Sequence, residues 1–178
     1  MRKLVVYELL SLDGVAEQPV EFVTDFDEVM RENLGRVVST QDAVLLGRRT
    51  YDEWAGFWPG SENEPFASFI NRVKKLVVTS SEPDKTWAHT AVLNGELVGS
   101  VTELKQQTGG DIGVHGSISL TQSLLKAGLV DELRLVVAPA LQLHGRKLFD
   151  KGQPQRLSLS RSVTSPTGHV LLDSQVRS

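Results

Sequence analysis

The feature that most limits what this chain can become is a unit it uses twice: a short apolar run, a glycine turn and a helical pattern. Ala43-Val44-Leu45-Leu46 ends at Gly47-Arg48-Arg49-Thr50, and a helical pattern resumes through Tyr51 and Trp54. Later, Asp111-Ile112-Gly113-Val114-His115 ends at Gly116-Ser117, and Ile118 to Ala127 reads as a helix with Leu120, Leu124 and Leu125 on its buried face before Gly128. A brief run without polar alternation suits a strand covered on both faces, which is the habit of parallel sheets flanked by helices.

The rest of the chain extends such a sheet. Leu4 to Leu10 reads as a buried strand ending in the loop Ser11-Leu12-Asp13-Gly14, and Asp25 to Val38 reads as an amphipathic helix. Pro65 to Val73 predicts a short helix, Lys75 to Thr79 a strand, Ala91 to Leu93 a weaker strand, and Leu97 to Gln107 a helix closed by Gly109-Gly110. Leu133 to Ala138 is a further strand, and Leu157, Leu159 and Val170 to Leu172 mark antiparallel strands near the C-terminus. The expected fold class is α/β in three layers: a mainly parallel twisted sheet, flanking helices and a C-terminal antiparallel hairpin. With 178 residues and no repeat, linker or low-complexity stretch, one domain over 1–178 is expected.

Composition removes several classes of chemistry. The chain has no cysteine, so a thiol nucleophile, a thiolate zinc site, an iron–sulfur cluster and a disulfide framework are all excluded. The four histidines, His89, His115, His144 and His169, lack metal-ligand spacing, and no metal is assigned. A net charge of −3 gives no general attraction for nucleic acid or an anionic membrane, so neither is an expected partner. The first apolar run is interrupted by Glu8 and is too short to span a bilayer, which makes a cytoplasmic protein the expectation.

Any redox chemistry must therefore use a borrowed cofactor, and the two glycine turns suggest how it would be held. Each places a helix N-terminus, with free amides and partial positive charge, at the carboxyl edge of the sheet. Arg48, Arg49 and Thr50 add guanidinium groups and a hydroxyl at the first turn, while Gly116 allows close backbone approach and Ser117 is placed to cap the second helix. Thr79-Ser80-Ser81 supplies hydroxyls at a third strand end. In isolation, Gly-Arg-Arg-Thr is only a helix start and Gly-Ser an ordinary cap; together they suit a dinucleotide laid across the sheet edge. No Gly-x-Gly-x-x-Gly fingerprint opens a first βαβ unit, which argues against an ordinary Rossmann dehydrogenase.

Five motifs in order, Ser11-Leu12-Asp13-Gly14-Val15-Ala16, Leu46-Gly47-Arg48-Arg49-Thr50-Tyr51, Lys75 to Ser80, Gly116-Ser117 with Leu120, and Leu129-Val130-Asp131-Glu132-Leu133, resemble the dihydrofolate reductase-like superfamily. The resemblance covers nearly the whole chain. It is greatest to the branch of the C-terminal reductase domain of the riboflavin-pathway deaminase/reductase, since Gly116-Ser117 stands where folate reductases have paired glycines.

The resemblance implies NADPH as cofactor and hydride transfer to a C=N or C=O bond of a small heterocyclic or carbonyl substrate. It implies that Arg48 and Ser80 meet the adenosine 2′-phosphate. Arg49 and Thr50 would hold the pyrophosphate, Gly116, Ser117, Ile118 and Ser119 would form the second phosphate turn, and the Ala16 backbone would meet the carboxamide; Gly47, Thr79 and Ser81 are further cofactor-binding positions. It also implies a homodimer, formed through the late strands and Leu129-Val130-Asp131.

A proton donor is less defined. Asp13 in the first loop is one candidate, and Asp25, Asp27, Glu28 and Glu32 are others, Asp27 being the acid expected to meet substrate. Solvated charges complementing the helix dipole are the plainer reading of those helix acids. Trp54 and Trp58 form either core packing or an aromatic wall for a planar substrate. A binding-only relative that holds NADP and regulates a partner is the alternative to an enzyme. A relative that has lost the nucleotide is a third reading, against which the two glycine turns argue.

Overall fold

The computed structural model describes residues 1–150 and 152–177. Eight strands form one sheet: β1 Leu4–Ser11, β2 Gln41–Gly47, β3 Lys74–Val78, β4 Thr90–Leu93, β5 Asp111–His115, β6 Glu132–Ala138, β7 Leu157–Thr164 and β8 Val170–Val176. Their spatial order is β4-β3-β2-β5-β1-β6-β8-β7; all pairings from β4 to β6 are parallel, and β8 and β7 close that end antiparallel. The α/β architecture expected from the apolar runs, including the late hairpin, is the one observed.

Five helices cover the two faces: α1 Glu28–Val38, α2 Arg48–Ala55, α3 Phe66–Arg72, α4 Leu97–Gln106 and α5 Ile118–Lys126. Alternation along the strands sorts the core into layers. Tyr7, Val44, Leu46, Val77, Val136 and Leu171 face α1, α2 and α3, meeting Met30, Leu34, Tyr51, Phe66 and Ile70. Leu4, Val6, Leu45, Leu76, Ile112, Val114 and Leu133 face the other way, onto Val101 and Leu104 of α4 and Leu120 and Leu124 of α5.

Two local expectations are corrected. Helix α1 begins at Glu28 rather than Asp25, because the Asp27 side chain accepts the Met30 amide and caps it. Gly109-Gly110 does not cap α4, which ends at Gln106 and is followed by Gln107 in extended backbone. The pair instead lets the chain pass close to its neighbours: a Cβ on Gly110 would stand 2.5 Å from the Thr40 carbonyl oxygen. Leu129-Val130-Asp131 also makes contacts within the chain. Val130 is buried, and Asp131 accepts the Leu4 amide at 2.7 Å and pairs with Lys105 at 2.7 Å. No helix of the described residues is long and apolar enough to cross a membrane.

Candidate functional site

Strand lengths create a slot at the carboxyl edge. β5 stops opposite Tyr7, whereas β1 continues to Ser11, and Leu46 and Gly47 of β2 run past their last pairing with β5. The slot lies between β1 and β2 above His115 and Gly116. The Lys3 carbonyl accepts from Ile112 of β5, while the Leu4 carbonyl accepts from Asp131 at the start of β6. Main-chain groups of odd-numbered β1 residues therefore face the β5 side. Leu9 turns its N–H and C=O toward the slot, where no strand stands opposite.

The two glycine turns meet at this slot. The Ser117 hydroxyl was expected to cap α5; it does not. It accepts the Gly47 amide at 3.0 Å instead and ties the start of α5 to the start of α2. Gly116 sits at φ +69°, a conformation that favours glycine, and a Cβ there would lie 3.0 Å from the Trp54 ring and 3.8 Å from the Thr50 methyl. The amides of Arg48, Arg49 and Thr50 open α2 without intrahelical partners. In α5 the Ile118 amide bonds the Gly116 carbonyl and the Thr121 amide bonds the Ser117 carbonyl, which leaves the Ser119 and Leu120 amides at the helix start.

Arg48 reaches from α2 to the loop after β3. Its guanidinium donates to Asp52 at 2.6 Å, to the Ser81 hydroxyl at 3.0 Å, to the Glu82 carbonyl at 2.9 Å and to Asp84 at 3.1 Å, and the Asp52 bond helps hold its pKa above the ordinary value. Thr79 shapes that loop, its hydroxyl donating to the Ser81 carbonyl, and Ser80 is exposed beside it. Arg49 stays largely exposed, bonded to Glu53 at 3.1 Å, with Glu17 at 3.9 Å.

The proposed acids behave differently from the expectation. Asp13 accepts the Gln142 amide at 2.9 Å, the Ser11 hydroxyl at 2.7 Å and the Leu143 amide at 3.1 Å, and these bonds draw its pKa down to about 2. It is a clamp between two loops, ionised at neutral pH. Burial acts to raise the Asp27 pKa, but the Thr167 hydroxyl at 2.7 Å and the Met30 amide at 3.0 Å outweigh it and hold the carboxyl well below the usual range. Asp27 caps α1 and anchors the β7–β8 turn. The Ala16 amide is likewise taken, by the Arg146 carbonyl at 2.9 Å.

Trp54 and Trp58 join Phe57 and Phe66 in an aromatic cluster, with Trp58 stacked edge-on to Phe66 at 4.8 Å between centroids and Trp54 to Phe66 at 5.5 Å. The cluster continues to His115, 5.2 Å from Phe66, and then to Tyr7, 5.7 Å from His115. The His115 Nε2 bonds Gln41 at 2.8 Å, while its Nδ1 and the Tyr7 hydroxyl are buried without partners. Burial drives the His115 pKa down to about 3, so the ring is neutral.

Sequence reasoning missed Leu9, whose role follows only from register; Arg146, whose guanidinium donates to Ser119 at 2.6 Å; and Glu8. Glu8 alone left a signal, as an acid inside a strand that should be buried on both faces.

A crossover α/β sheet with two helix starts converging on a slot places that slot at the carboxyl edge of the strands, where open α/β sheets hold their ligands. The chain belongs to the RibD C-terminal domain family, whose model matches residues 2–171. It is 27% identical over 177 residues to the uncharacterized protein YyaP of Bacillus subtilis (strain 168), covering 95% of this chain and 92% of that one. Among solved structures it resembles a pyrimidine reductase-like protein of Corynebacterium diphtheriae, with TM-score 0.72 and 16% identity, covering 99% and 92% of the two chains. It also resembles the diaminohydroxyphosphoribosylaminopyrimidine deaminase/5-amino-6-(5-phosphoribosylamino)uracil reductase of Thermotoga maritima, with TM-score 0.69 and 13% identity. That match covers 99% of this chain but only 57% of the longer protein.

Proposed function

We propose that this protein is an NADPH-dependent reductase that transfers a hydride to a C=N or C=O bond of a small heterocyclic substrate. The observation that carries the reading is the Gly47–Ser117 hydrogen bond, which joins two helix starts with free amides beside a slot. The chain's groups fit a dinucleotide phosphate: main-chain amides at both turns, the Arg49 guanidinium and the Thr50 hydroxyl for the pyrophosphate, and Arg48 with Ser80 and Ser81 for the 2′-phosphate. Arg48 and Ser81 are already within hydrogen-bond reach of each other, so little ordering remains for binding.

Bound NADPH supplies the hydride, and the protein supplies orientation and shielding. Leu9 offers a main-chain donor and acceptor at the edge of the slot, complementary to a carboxamide. Trp54 lies against Gly116 and presents, with Trp58, an aromatic surface for a planar ring. Asp13 and Asp27 are committed to structural bonds and ionised, so neither is assigned proton donation; Tyr7 and neutral His115 retain unpartnered polar atoms on the α1–α3 face of the sheet. The family and the pyrimidine reductase-like structures favour a pyrimidine-like heterocycle as substrate. A homodimer is proposed through the edge strand β7, where Leu157 and Leu159 are exposed.

The test is the loss of reduced-nicotinamide absorbance with pterins, phosphoribosylated aminopyrimidines and simple carbonyls. Steady, enzyme-dependent oxidation with one of these supports the reading. Cofactor binding without turnover on any of them would favour the binding-only alternative.

A further inference from the structure

Among the described residues only two carboxylates are buried, and they differ in their partners. Asp173 pairs with Arg36 at 2.7 Å, whereas Glu8, 3% exposed, has no cation, and its Oε1 has no hydrogen-bond partner. Glu8 lies on the same face of β1 as Val6 and Leu10, which pack against Leu120, Leu124 and Ile118 of α5. It stands opposite Leu135 of β6, one residue past the Tyr7–His115 pairing. The polar group bearing on it is the Gly116 amide. A lone carboxyl is therefore buried directly behind the turn that starts α5.

Charged groups of the surrounding elements are directed elsewhere. On β6, Glu132 and Arg134 pair with each other at 2.8 Å and Glu132 also holds Lys3, which precedes β1; Lys126 lies at the far end of α5. Arg146 is bonded to Ser119, Lys147 is exposed, and neutral His115 and Tyr7 point to the opposite face of the sheet. Among the described residues, only the Gly116 amide is at hand to compensate a negative charge on Glu8. Burial accordingly pushes its pKa up to about 8.

An anion placed on the outer side of the Gly116–Ser117 turn would draw on the same helix dipole and amides. Two negative charges sharing one set of donors disfavour each other, and the buried one yields by taking a proton. We infer that Glu8 is a positioning residue of this turn: it must be neutral for a phosphate to bind at the start of α5, so phosphate binding is coupled to uptake of a proton by Glu8. This rests on the proposed binding of a dinucleotide here.

The test is calorimetric titration of the full chain with NADPH in buffers of differing ionisation enthalpy, at about pH 8 and about pH 9, for wild type and Glu8→Gln. Wild type should take up about half a proton per dinucleotide at the lower pH and more at the higher, and its affinity should fall about tenfold between pH 7 and 9. Glu8→Gln should show neither effect and should bind more tightly than wild type at pH 9. Binding without proton uptake, or the same uptake in Glu8→Gln, overturns the inference while leaving the reductase reading intact; no binding by either protein overturns both. If Glu8→Gln does not fold, the Gly116 amide resonance of wild type decides. A titration near pH 8 that moves upward with NADPH bound supports the coupling, and an unmoved titration refutes it.

Discussion

Arg48 makes side-chain bonds to Asp52 and Asp84 and also reaches the Ser81 hydroxyl, so it is a preorganised guanidinium with competing partners. Charge-assisted bonds to a phosphate contribute about 1.5–3 kcal/mol. Arg48→Ala should therefore raise the NADPH dissociation constant by roughly 10- to 100-fold, while NADH, lacking the 2′-phosphate, should change by less than about threefold. Equal losses for both in a binding titration would remove the 2′-phosphate assignment. The place of Arg48 at a helix start after a strand was legible from the apolar run and the glycine before it. The acids were not. Asp13 and Asp27 carry the right group, but whether a carboxylate faces substrate or accepts amides depends on Gln142, Leu143 and Thr167, more than 120 residues away in sequence. Leu9 was invisible for another reason, since its contribution is main-chain and arises from where β5 ends.

At the scale of elements, Ser117 links α2 to α5 through the Gly47 amide. Ser117→Ala should weaken NADPH and NADH alike, by about 3- to 10-fold, because a hydrogen bond contributes about 0.5–1.5 kcal/mol and the turn serves the part common to both cofactors. A loss confined to NADPH would contradict that placement. Asp27 belongs to this scale as the cap of α1. Asp27→Ala should cost about 1–2 kcal/mol and lower the melting temperature by roughly 3–6 °C, measured calorimetrically. Its depressed pKa means that the stability it contributes is present above the unfolded value and lost as pH falls below about 3.9. Strands and helices were legible from apolar periodicity, and five helices and eight strands fall on the expected segments. Boundaries were less so, because Asp27 and Gly109-Gly110 are set by tertiary contacts: Thr167 on one side and Thr40 on the other.

Over the whole molecule, three buried groups with opposed linkage shape stability against pH. The folded His115 pKa, about 3, lies below the unfolded value of 6.5, so stability from this group rises with pH across that interval. Glu8 is raised from 4.5 to about 8, so its contribution falls with pH between those values. Lys75, wholly buried against the Ile70 and Val73 carbonyls, is lowered from 10.5 to about 8, so its contribution rises above pH 8. The first two offset each other between pH 4.5 and 6.5. From these three groups, denaturant titrations should give a plateau there, a decline from about 6.5 to 8 and a recovery from about 8 towards 10.5. Glu8→Gln should abolish the decline. The α/β class and the late antiparallel hairpin were legible because helical and strand runs alternate early and strands follow one another late; strand order and the slot were not, since they depend on which strands pair and on the relative lengths of three neighbouring strands.

The central claim is that the carboxyl edge of this sheet holds a phosphorylated dinucleotide, and titration calorimetry of the intact protein with NADPH and then NADH tests it most directly. One NADPH is expected per chain, bound at least about tenfold more tightly than NADH, the margin given by the charge-assisted bonds of Arg48 to the 2′-phosphate. Absence of heat with both cofactors would contradict it, leaving the fold without the function.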